Sequence, residues 1–162
     1  MAVSPSAIAE PASERVLQLF LALPQLVAAD PDLIRRGRFL STEFEIGVGV
    51  VPLLVSVANG EVRSVARGPF LLKPWVFALR AEPATWEALL QPVPAPGVHD
   101  LMALSKTGRV RIEGNLQPFM ANLQYVKDVL TKPRALAPEL APELAKAPAQ
   151  ELAQEPVKGR GQ

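Results

Sequence analysis

The chain has 162 residues, of which 49% are apolar and 20% are charged. This composition is typical of a globular domain and excludes a wholly disordered chain. The 17 basic and 16 acidic side chains leave a formal net charge of +1, so the charge gives no indication of nucleic-acid binding. Cysteine is absent, which excludes disulfides, thiol catalysis and thiolate metal sites.

The apolar segments are too short to cross a membrane. Pro24 and Pro52 interrupt the two most apolar runs, and a span needs about 20 apolar residues. The N-terminus lacks the basic start of a secretory signal. We therefore expect a cytoplasmic protein that makes at most transient contact with a membrane surface. The basic run 35–38 suits a phospholipid headgroup or an acidic partner, but the simpler interpretation is a helix C-terminus, where the helix dipole favours cations.

Proline divides the chain into a domain and two loose ends. Five of the 17 prolines lie between Lys132 and Gln162, where they interrupt a stripe of leucines at helical spacing. We predict a flexible N-terminus over 1–12, a folded domain over 13–131, and a flexible tail rich in Pro, Ala and Glu over 132–162. The alternative for the tail is a helix that forms on contact with a partner enzyme.

The predicted domain begins with helices. Ser13 is a suitable N-cap for the apolar helix that follows it, and Pro24 bends or restarts that helix. Asp30 and Pro31 supply the N-cap and the first turn of a second, short helix that ends near Gly37.

The next segments alternate between apolar and polar residues, as strands do. From Leu40 to Val50 the even positions are Leu, Thr, Phe, Ile, Val and Val, whereas the odd ones are Ser, Glu, Glu, Gly and Gly. This pattern predicts a strand with one apolar, buried face and one polar, solvent-exposed face. Asn59-Gly60 predicts a hairpin between two further strands, because both turn residues tolerate positive φ. Residues 70–79 predict another strand, in which Trp75 and Phe77 share a face.

The C-terminal part of the domain mixes helices with one strand. Pro83 opens a helix that carries Trp86, residues 98–106 predict a short helix, 109–113 a strand, and 116–131 a last amphipathic helix. The order of elements predicts an α+β domain: a mainly antiparallel five-stranded sheet covered on one face by helices.

The polar residues give little support to catalysis. His99 is the only histidine, and Asp100 beside it on a helix points elsewhere, so a solvated His99 is the simpler interpretation. Glu43 and Glu45 share a strand face and resemble a carboxylate pair, but a solvated face opposite arginines of a neighbouring strand is the simpler interpretation. We predict no enzyme activity, no metal site and no cofactor.

The large apolar residues offer a different kind of site. Such residues are usually core, but a sheet covered by helices rich in Met and Phe can part to admit an aliphatic guest. The predicted ligand-binding residues are Phe44, Ile46, Val48, Trp75, Phe77, Met102, Phe119, Met120 and Leu123.

One segment has a recognisable pattern. Gly108-Arg-Val-Arg-Ile-Glu-Gly-Asn, followed by the amphipathic stretch 116–130, resembles the signature of the sterol carrier protein sterol-binding domain. The Asn59-Gly60 hairpin and the helix at Trp86-Glu-Ala-Leu-Leu follow the order of that family's elements, so the likeness covers roughly 39–130. The resemblance implies a five-stranded sheet backed by helices that enclose an apolar tunnel for lipids, with no catalytic residues. Some members of the family assist isoprenoid-quinone synthesis.

Hypotheses from three classes follow. The first is a non-catalytic carrier that holds a sterol, a fatty acyl chain or an isoprenoid-type lipid in an apolar tunnel. The second is an accessory subunit of a lipid- or isoprenoid-quinone-biosynthesis complex, whose tail over 132–162 recruits the enzyme. The third, an enzyme that acts on a lipid, would depend on His99.

Overall fold

Five strands form one sheet in this structure, a computed structural model that describes residues 11–70 and 74–136. The strands are β1 (Thr42–Val48), β2 (Val51–Ala58), β3 (Glu61–Arg67), β4 (Phe77–Ala81) and β5 (Val110–Gly114). Their order across the sheet is β3-β2-β1-β4-β5. The α+β class and the five strands are thereby confirmed.

The sheet is mixed rather than antiparallel throughout. The ladders β1–β2, β2–β3 and β4–β5 are antiparallel, whereas the ladder between β1 and β4 is parallel. The prediction of a mainly antiparallel sheet therefore missed the central pair. The chain leaves β3 at one edge and returns as β4 beside β1, and this crossover leaves no trace in the alternation of side chains, which is the same in both kinds of ladder.

Two glycine-containing turns join the first three strands. The predicted hairpin at Asn59-Gly60 is confirmed, with φ of 52° and 82°. The strand expected to continue to Val50 instead ends at Val48, because Gly49 takes a φ of 59° and reverses the chain into β2. Gly60 has a second constraint, since a Cβ there would lie 2.4 Å from the carbonyl oxygen of Ile34.

Helices precede, interrupt and follow the strands. They are α1 (Pro11–Leu21), α2 (Leu23–Ala28), α3 (Pro31–Arg36), α4 (Pro83–Leu89), α5 (Leu101–Lys106), α6 (Leu116–Ala121) and α7 (Leu123–Thr131). The restart at Pro24 and the N-cap at Asp30 are confirmed, and Asp30 Oδ1 accepts a hydrogen bond from Leu33 N at 3.1 Å. The N-cap assigned to Ser13 is wrong, because α1 begins at Pro11 and buries Ser13 within it.

The last predicted helix is two helices that meet at Asn122. The backbone of Asn122 leaves the helical region at φ −123° and ψ 30°, and its Nδ2 donates to Pro118 O at 3.0 Å. A short amide side chain that bonds to a nearby carbonyl competes with the helical ladder. The apolar stripe continues across the break, and for this reason the sequence pattern predicted one helix over 116–131.

The helices pack on one face of the sheet, here called the inner face. Phe44, Ile46 and Val48 of β1 and Phe77 and Leu79 of β4 are fully buried there in the hydrophobic core. The predicted apolar face of β1 is thus confirmed at these three positions.

Two of the helices are also fixed to the sheet by buried hydrogen bonds. Trp86 Nε1 of α4 donates to Gly47 O at 2.8 Å, and the Tyr125 hydroxyl of α7 donates to Gly60 O at 2.6 Å. Both bonds end on backbone carbonyls, one within β1 and one just before β3, so they fix where α4 and α7 lie on the sheet.

The described part of the predicted tail packs against the helices. Residues 132–135 form a 3-10 turn directly after α7. Pro133 is buried, and Arg134 Nε donates to Leu89 O at 2.9 Å while its Nη2 donates to His99 O at 3.0 Å. The rest of the tail, 137–162, and positions 1–10 of the predicted N-terminal segment lie outside the described residues.

Candidate functional site

Three phenylalanines form a continuous stack on the inner face. The rings of Phe44 and Phe77 lie parallel, with centroids 4.9 Å apart and an interplanar angle of 5°. Phe119 of α6 continues the stack at 5.3 Å from Phe77, tilted by 58°. All three side chains are fully buried. The stack joins β1, β4 and α6 through aromatic contacts and dispersion, and dispersion has little directional preference compared with a hydrogen bond.

Helix α6 covers this stack and turns an apolar surface outward. Phe119 is fully buried, whereas Leu116 and Met120 of the same helix are 43% and 51% exposed. Met102 of α5 and Leu123 of α7 are half-buried and pack against the core beside it. Helix α6 thus carries apolar side chains both on its exposed surface and against the aromatic stack, and this set (Leu116, Met120 and Phe119) is called the apolar path below.

In the part of the chain that the structure describes, no side-chain hydrogen bond joins α6 to another helix or strand. Its side-chain hydrogen bonds among the described residues are local: Asn115 Oδ1 accepts from Gln117 N at 3.1 Å, and Asn122 bonds back to Pro118. A six-residue helix is marginal without tertiary contacts. Phe119 therefore supplies much of the attachment of α6 to the sheet.

The structure brings together most of the predicted ligand-binding residues. Five of them lie within the core: Phe44, Ile46, Val48, Phe77 and Phe119. Met102 and Leu123 lie at its margin, and Met120 lies on the exposed side of α6. The ninth, Trp75, lies elsewhere.

Trp75 lies on the opposite face of the sheet, here called the outer face. Its ring stands 5.4 Å from the guanidinium carbon of Arg80, a cation–π arrangement. The prediction that Trp75 shares a face with Phe77 is wrong, because β4 begins only at Phe77 and strand alternation does not extend back to Trp75.

The outer face carries a network of charges. Arg80 bridges two carboxylates: its Nη1 bonds to Glu45 on β1, and its Nε donates to Glu113 Oε1 on β5 at 2.9 Å. The interpretation of Glu45 as the partner of an arginine on a neighbouring strand is confirmed. The expectation that this position is exposed to solvent is wrong, because Glu45 is only 7% exposed.

The pKa values in this network follow from the ion pairs. The hydrogen bond from Arg80 lowers the pKa of Glu113 below its ordinary value. Burial acts to lower the pKa of Arg80, but the hydrogen bonds and charges of Glu113 and Glu45 outweigh it and raise that pKa. The shifts of Arg80 and Glu113 both favour the charged forms of this ion pair, an arrangement that stabilises the sheet rather than one suited to acid–base chemistry.

The residues considered for catalysis are not assembled into a catalytic site. His99 is exposed, and Asp100 caps α5 by accepting from Met102 N at 3.0 Å while it forms an ion pair with Lys127. In the described part of the chain, no three His, Asp or Glu side chains come close enough together to hold a metal ion. Nor does any helix described there have the length and apolar character needed to cross a bilayer.

The arginines at the C-terminal end of α3 and just after it are engaged by groups of the chain itself. Arg35 pairs with Asp32 at 3.0 Å, and Arg36 pairs with Asp128 of α7 at 2.5 Å. Arg38 donates to Arg35 O at 2.7 Å. These contacts favour the interpretation of a basic helix C-terminus over that of a headgroup site.

Sequence reasoning missed Tyr125 as a positioning residue. Its ring packs so close to Gly37 that a Cβ there would lie 2.3 Å away, and burial raises the pKa of its hydroxyl to about 12. A tyrosine among the buried positions of α7 was the available signal, because a buried phenol needs a hydrogen-bond partner. The identity of that partner, Gly60 O, depends on packing across 65 residues of chain.

Known proteins resemble this chain in fold but not in sequence. No family model and no curated protein matches the chain. Among solved structures, sterol carrier protein 2 aligns with a TM-score of 0.59 at 12% identity, over 72% of this chain and 94% of that protein. The chain has the sterol carrier protein fold.

Two further solved structures agree with this assignment. The sterol carrier protein domain 2 of Helicoverpa armigera has a TM-score of 0.52 at 14% identity, over 76% of this chain and 93% of that domain. A conserved hypothetical protein of Thermus thermophilus, described as possibly a sterol carrier protein, has a TM-score of 0.52 at 12% identity, over 72% and 86%. The five-stranded sheet backed by helices that the resemblance implied is confirmed, and at these identities the likeness concerns the fold.

Proposed function

We propose that the protein is a non-catalytic carrier that holds a lipid between the inner face of the sheet and its helices. The observation that carries the proposal is the buried Phe44–Phe77–Phe119 stack beneath α6, a helix that turns Leu116 and Met120 to solvent. The sterol carrier protein fold supports the same function, because solved structures named for that function have the same arrangement of sheet and helices.

The driving force for binding is the transfer of hydrocarbon out of water. Each methylene that moves from water to an apolar site contributes about 0.8 kcal/mol. A chain of ten methylenes therefore gains roughly 8 kcal/mol before the costs of immobilisation are subtracted. The inner-face side chains of the predicted site are all hydrocarbon or thioether, so they provide this environment without acid–base groups.

Binding requires α6 to move. The aromatic rings fill the space over β1 and β4, so a guest chain takes the place of Phe119 against Phe77. The buried hydrogen bonds of Trp86 and Tyr125 hold α4 and α7 on the sheet. Helix α6, which lies between non-helical residues Asn115 and Asn122, is the element that can swing outward. The predicted tunnel thus becomes a space that forms when the lipid enters.

The experiment measures transfer of radiolabelled hexadecanol from phosphatidylcholine vesicles to the protein, with the vesicles removed by flotation. The wild-type chain is expected to remove hexadecanol up to one molecule per chain. Phe119→Asp places a charge in the apolar space and is expected to reduce binding more than tenfold. Val93→Asp, at a position 88% exposed in the loop before α5, adds the same charge and is expected to leave binding unchanged.

A second variant keeps the proposal testable if Phe119→Asp does not fold. Met120→Asp changes the exposed side of α6, where the fold tolerates a charge, and is expected to slow the uptake of hexadecanol by obstructing the apolar path. A wild-type chain that removes no hexadecanol, or a folded Phe119→Asp that binds it normally, would overturn the proposal. Native mass spectrometry of protein purified from its own host then identifies the natural lipid.

The alternative of an accessory subunit in lipid or isoprenoid-quinone synthesis stays a prediction. It depends on the tail, of which 137–162 lie outside the described residues. Deletion of 137–162 separates the two functions: a carrier keeps its affinity for hexadecanol, whereas an accessory subunit loses its partner enzyme in a pull-down.

A further inference from the structure

One buried polar atom on the inner face has no partner. Thr42 Oγ1 is sealed from solvent, and among the residues that the structure describes it is the single buried side-chain oxygen or nitrogen without a hydrogen bond. A buried hydroxyl that has lost its bonds to water without replacement destabilises the folded state. In a native fold such an atom calls for an explanation, and here the chain itself supplies no partner.

The hydroxyl lies on the same face of β1 as the aromatic stack. Thr42 precedes Phe44 by two residues, so both side chains project from one side of the strand. Its cross-strand partner on β2 is Val57, which is buried in the same core. Valine has the shape of threonine without the hydroxyl, so neither strand geometry nor packing requires the polar atom at position 42.

This end of the sheet is also where α6 and α7 are attached. The parallel ladder to β4 starts at Phe44, two residues after Thr42. At that end Asn115 N, just before α6, donates to Val76 O at 2.8 Å. Tyr125 of α7 is tied to Gly60, whose N donates to Leu40 O at 3.1 Å. Thr42 is therefore placed at the end of the sheet where both α6, the helix that must move for a lipid to bind, and α7 are attached.

We propose that the Thr42 hydroxyl donates a hydrogen bond to the polar end of the bound lipid and selects lipids that end in an uncharged oxygen, a hydroxyl or a carbonyl. The inference rests on the proposed carrier function and adds the class of head group. The inner-face neighbours Leu40, Phe44 and Val57 are hydrocarbon, so they offer no cation to a carboxylate. A charged head group buried there would remain uncompensated.

The test compares hexadecanol with hexadecane in the vesicle-transfer assay, with each amount corrected for the lipid's own partition into vesicles. Thr42→Val is expected to reduce hexadecanol binding about 3- to 10-fold, the value of one hydrogen bond, and to leave hexadecane binding unchanged. The same variant without lipid is expected to melt at a higher temperature, because the unpaired hydroxyl is gone. Thr85→Val, at a buried threonine of α4, is the matched control and is expected to leave both lipids unaffected.

The outcomes distinguish this inference from the carrier proposal. If the wild-type chain binds hexadecane and hexadecanol but Thr42→Val changes neither, or weakens both equally, the head-group role is overturned while the carrier function stands. Palmitate that binds as tightly as hexadecanol at pH 7 overturns the selectivity for an uncharged end. If the wild-type chain binds none of the three lipids, the carrier function itself fails, and this inference with it.

Discussion

The two faces of the sheet are stabilised in different ways. On the inner face Phe44, Phe77 and Phe119 meet through ring contacts that hydrocarbon can replace. On the outer face Arg80 joins Glu45 and Glu113 through charged hydrogen bonds that depend on position and direction. The comparison shows why the proposed guest belongs on the inner face: exchanging one apolar contact for another costs little, whereas separating a covered ion pair costs several kcal/mol.

The outer network also stabilises the part of the sheet that has the least local support. Arg80 lies on β4 and reaches β1 on one side and β5 on the other. These strands are far apart in sequence, and β1 and β4 form the parallel ladder. The charges therefore specify which strands are neighbours, while the inner face supplies most of the buried apolar area.

The largest effect is expected from breaking the inner stack. Phe119→Ala should lower the free energy of unfolding by about 3–5 kcal/mol, as expected for a fully buried phenylalanine, measured by urea denaturation. Saturating hexadecanol should return part of that loss, because the lipid occupies the space that the ring left. Phe20→Ala is the matched control: Phe20 is equally buried but packs against Trp86 at 5.4 Å.

The control defines what would contradict this interpretation. Phe20→Ala is expected to lower the free energy of unfolding by a similar amount. Hexadecanol should then stabilise Phe20→Ala no more than it stabilises the wild-type chain. Equal stabilisation of the two variants by hexadecanol would mean that the lipid fills any cavity in the core. The inner stack would then not be the specific site of the lipid.

Breaking the outer network is expected to be the next largest effect. Arg80→Met leaves Glu45 covered without its cation and should cost about 2–3 kcal/mol, somewhat less than for a fully buried pair because Arg80 is partly exposed. Arg111→Met, at a more exposed arginine 3.6 Å from Glu113, should cost about 0.5 kcal/mol or less. Neither substitution should alter the affinity of folded protein for hexadecanol, and a large loss in Arg80→Met would show that the two faces are coupled.

Local rules explain what could be predicted from the sequence. The buried faces of Phe44, Ile46 and Val48, the Asn59-Gly60 turn and the Asp30 cap all depend on residues close together in the chain. Period-two alternation, positive φ and capping act over a few residues. The same rules placed each member of the inner stack on an apolar face, whereas the ring contacts between them come from the structure.

The remaining features depend on contacts between distant residues. The parallel β1–β4 ladder and the burial of Glu45 arise from a crossover that alternation does not record. Trp75 was assigned to the wrong face because the start of β4 is decided by tertiary contacts. The lack of a partner for Thr42 Oγ1 is equally invisible in the sequence, where threonine is an ordinary strand residue.

A smaller effect concerns the hydrogen bond that holds α7 to the sheet. The pKa of Tyr125 is raised by burial to about 12 in the folded chain, against about 10 when unfolded. The folded state therefore favours the neutral phenol, and its contribution is complete below pH 10 and is lost as the pH rises toward 12. Wild type should lose about 2 kcal/mol more than Tyr125→Phe between pH 10 and 12 in urea denaturation. If the free energies of unfolding of the two proteins change equally between pH 10 and 12, the pKa of the Tyr125 hydroxyl is the same in the folded and unfolded chain, contrary to this prediction.

The smallest expected effect is on the acid side and belongs to the outer face. Because Arg80 lowers the pKa of Glu113 in the folded state, the stability that this carboxylate contributes is present above its ordinary pKa and is lost as the pH falls through the lowered one. The stability difference between wild type and Glu113→Gln should therefore shrink as the pH falls from 6 to about 3. In an Arg80→Met background the same comparison should lose most of its pH dependence, since the cause of the shift has been removed. A difference that persists unchanged in that background would mean that Arg111, not Arg80, is the effective partner of Glu113, and that the outer network stabilises β5 alone rather than joining it to β1.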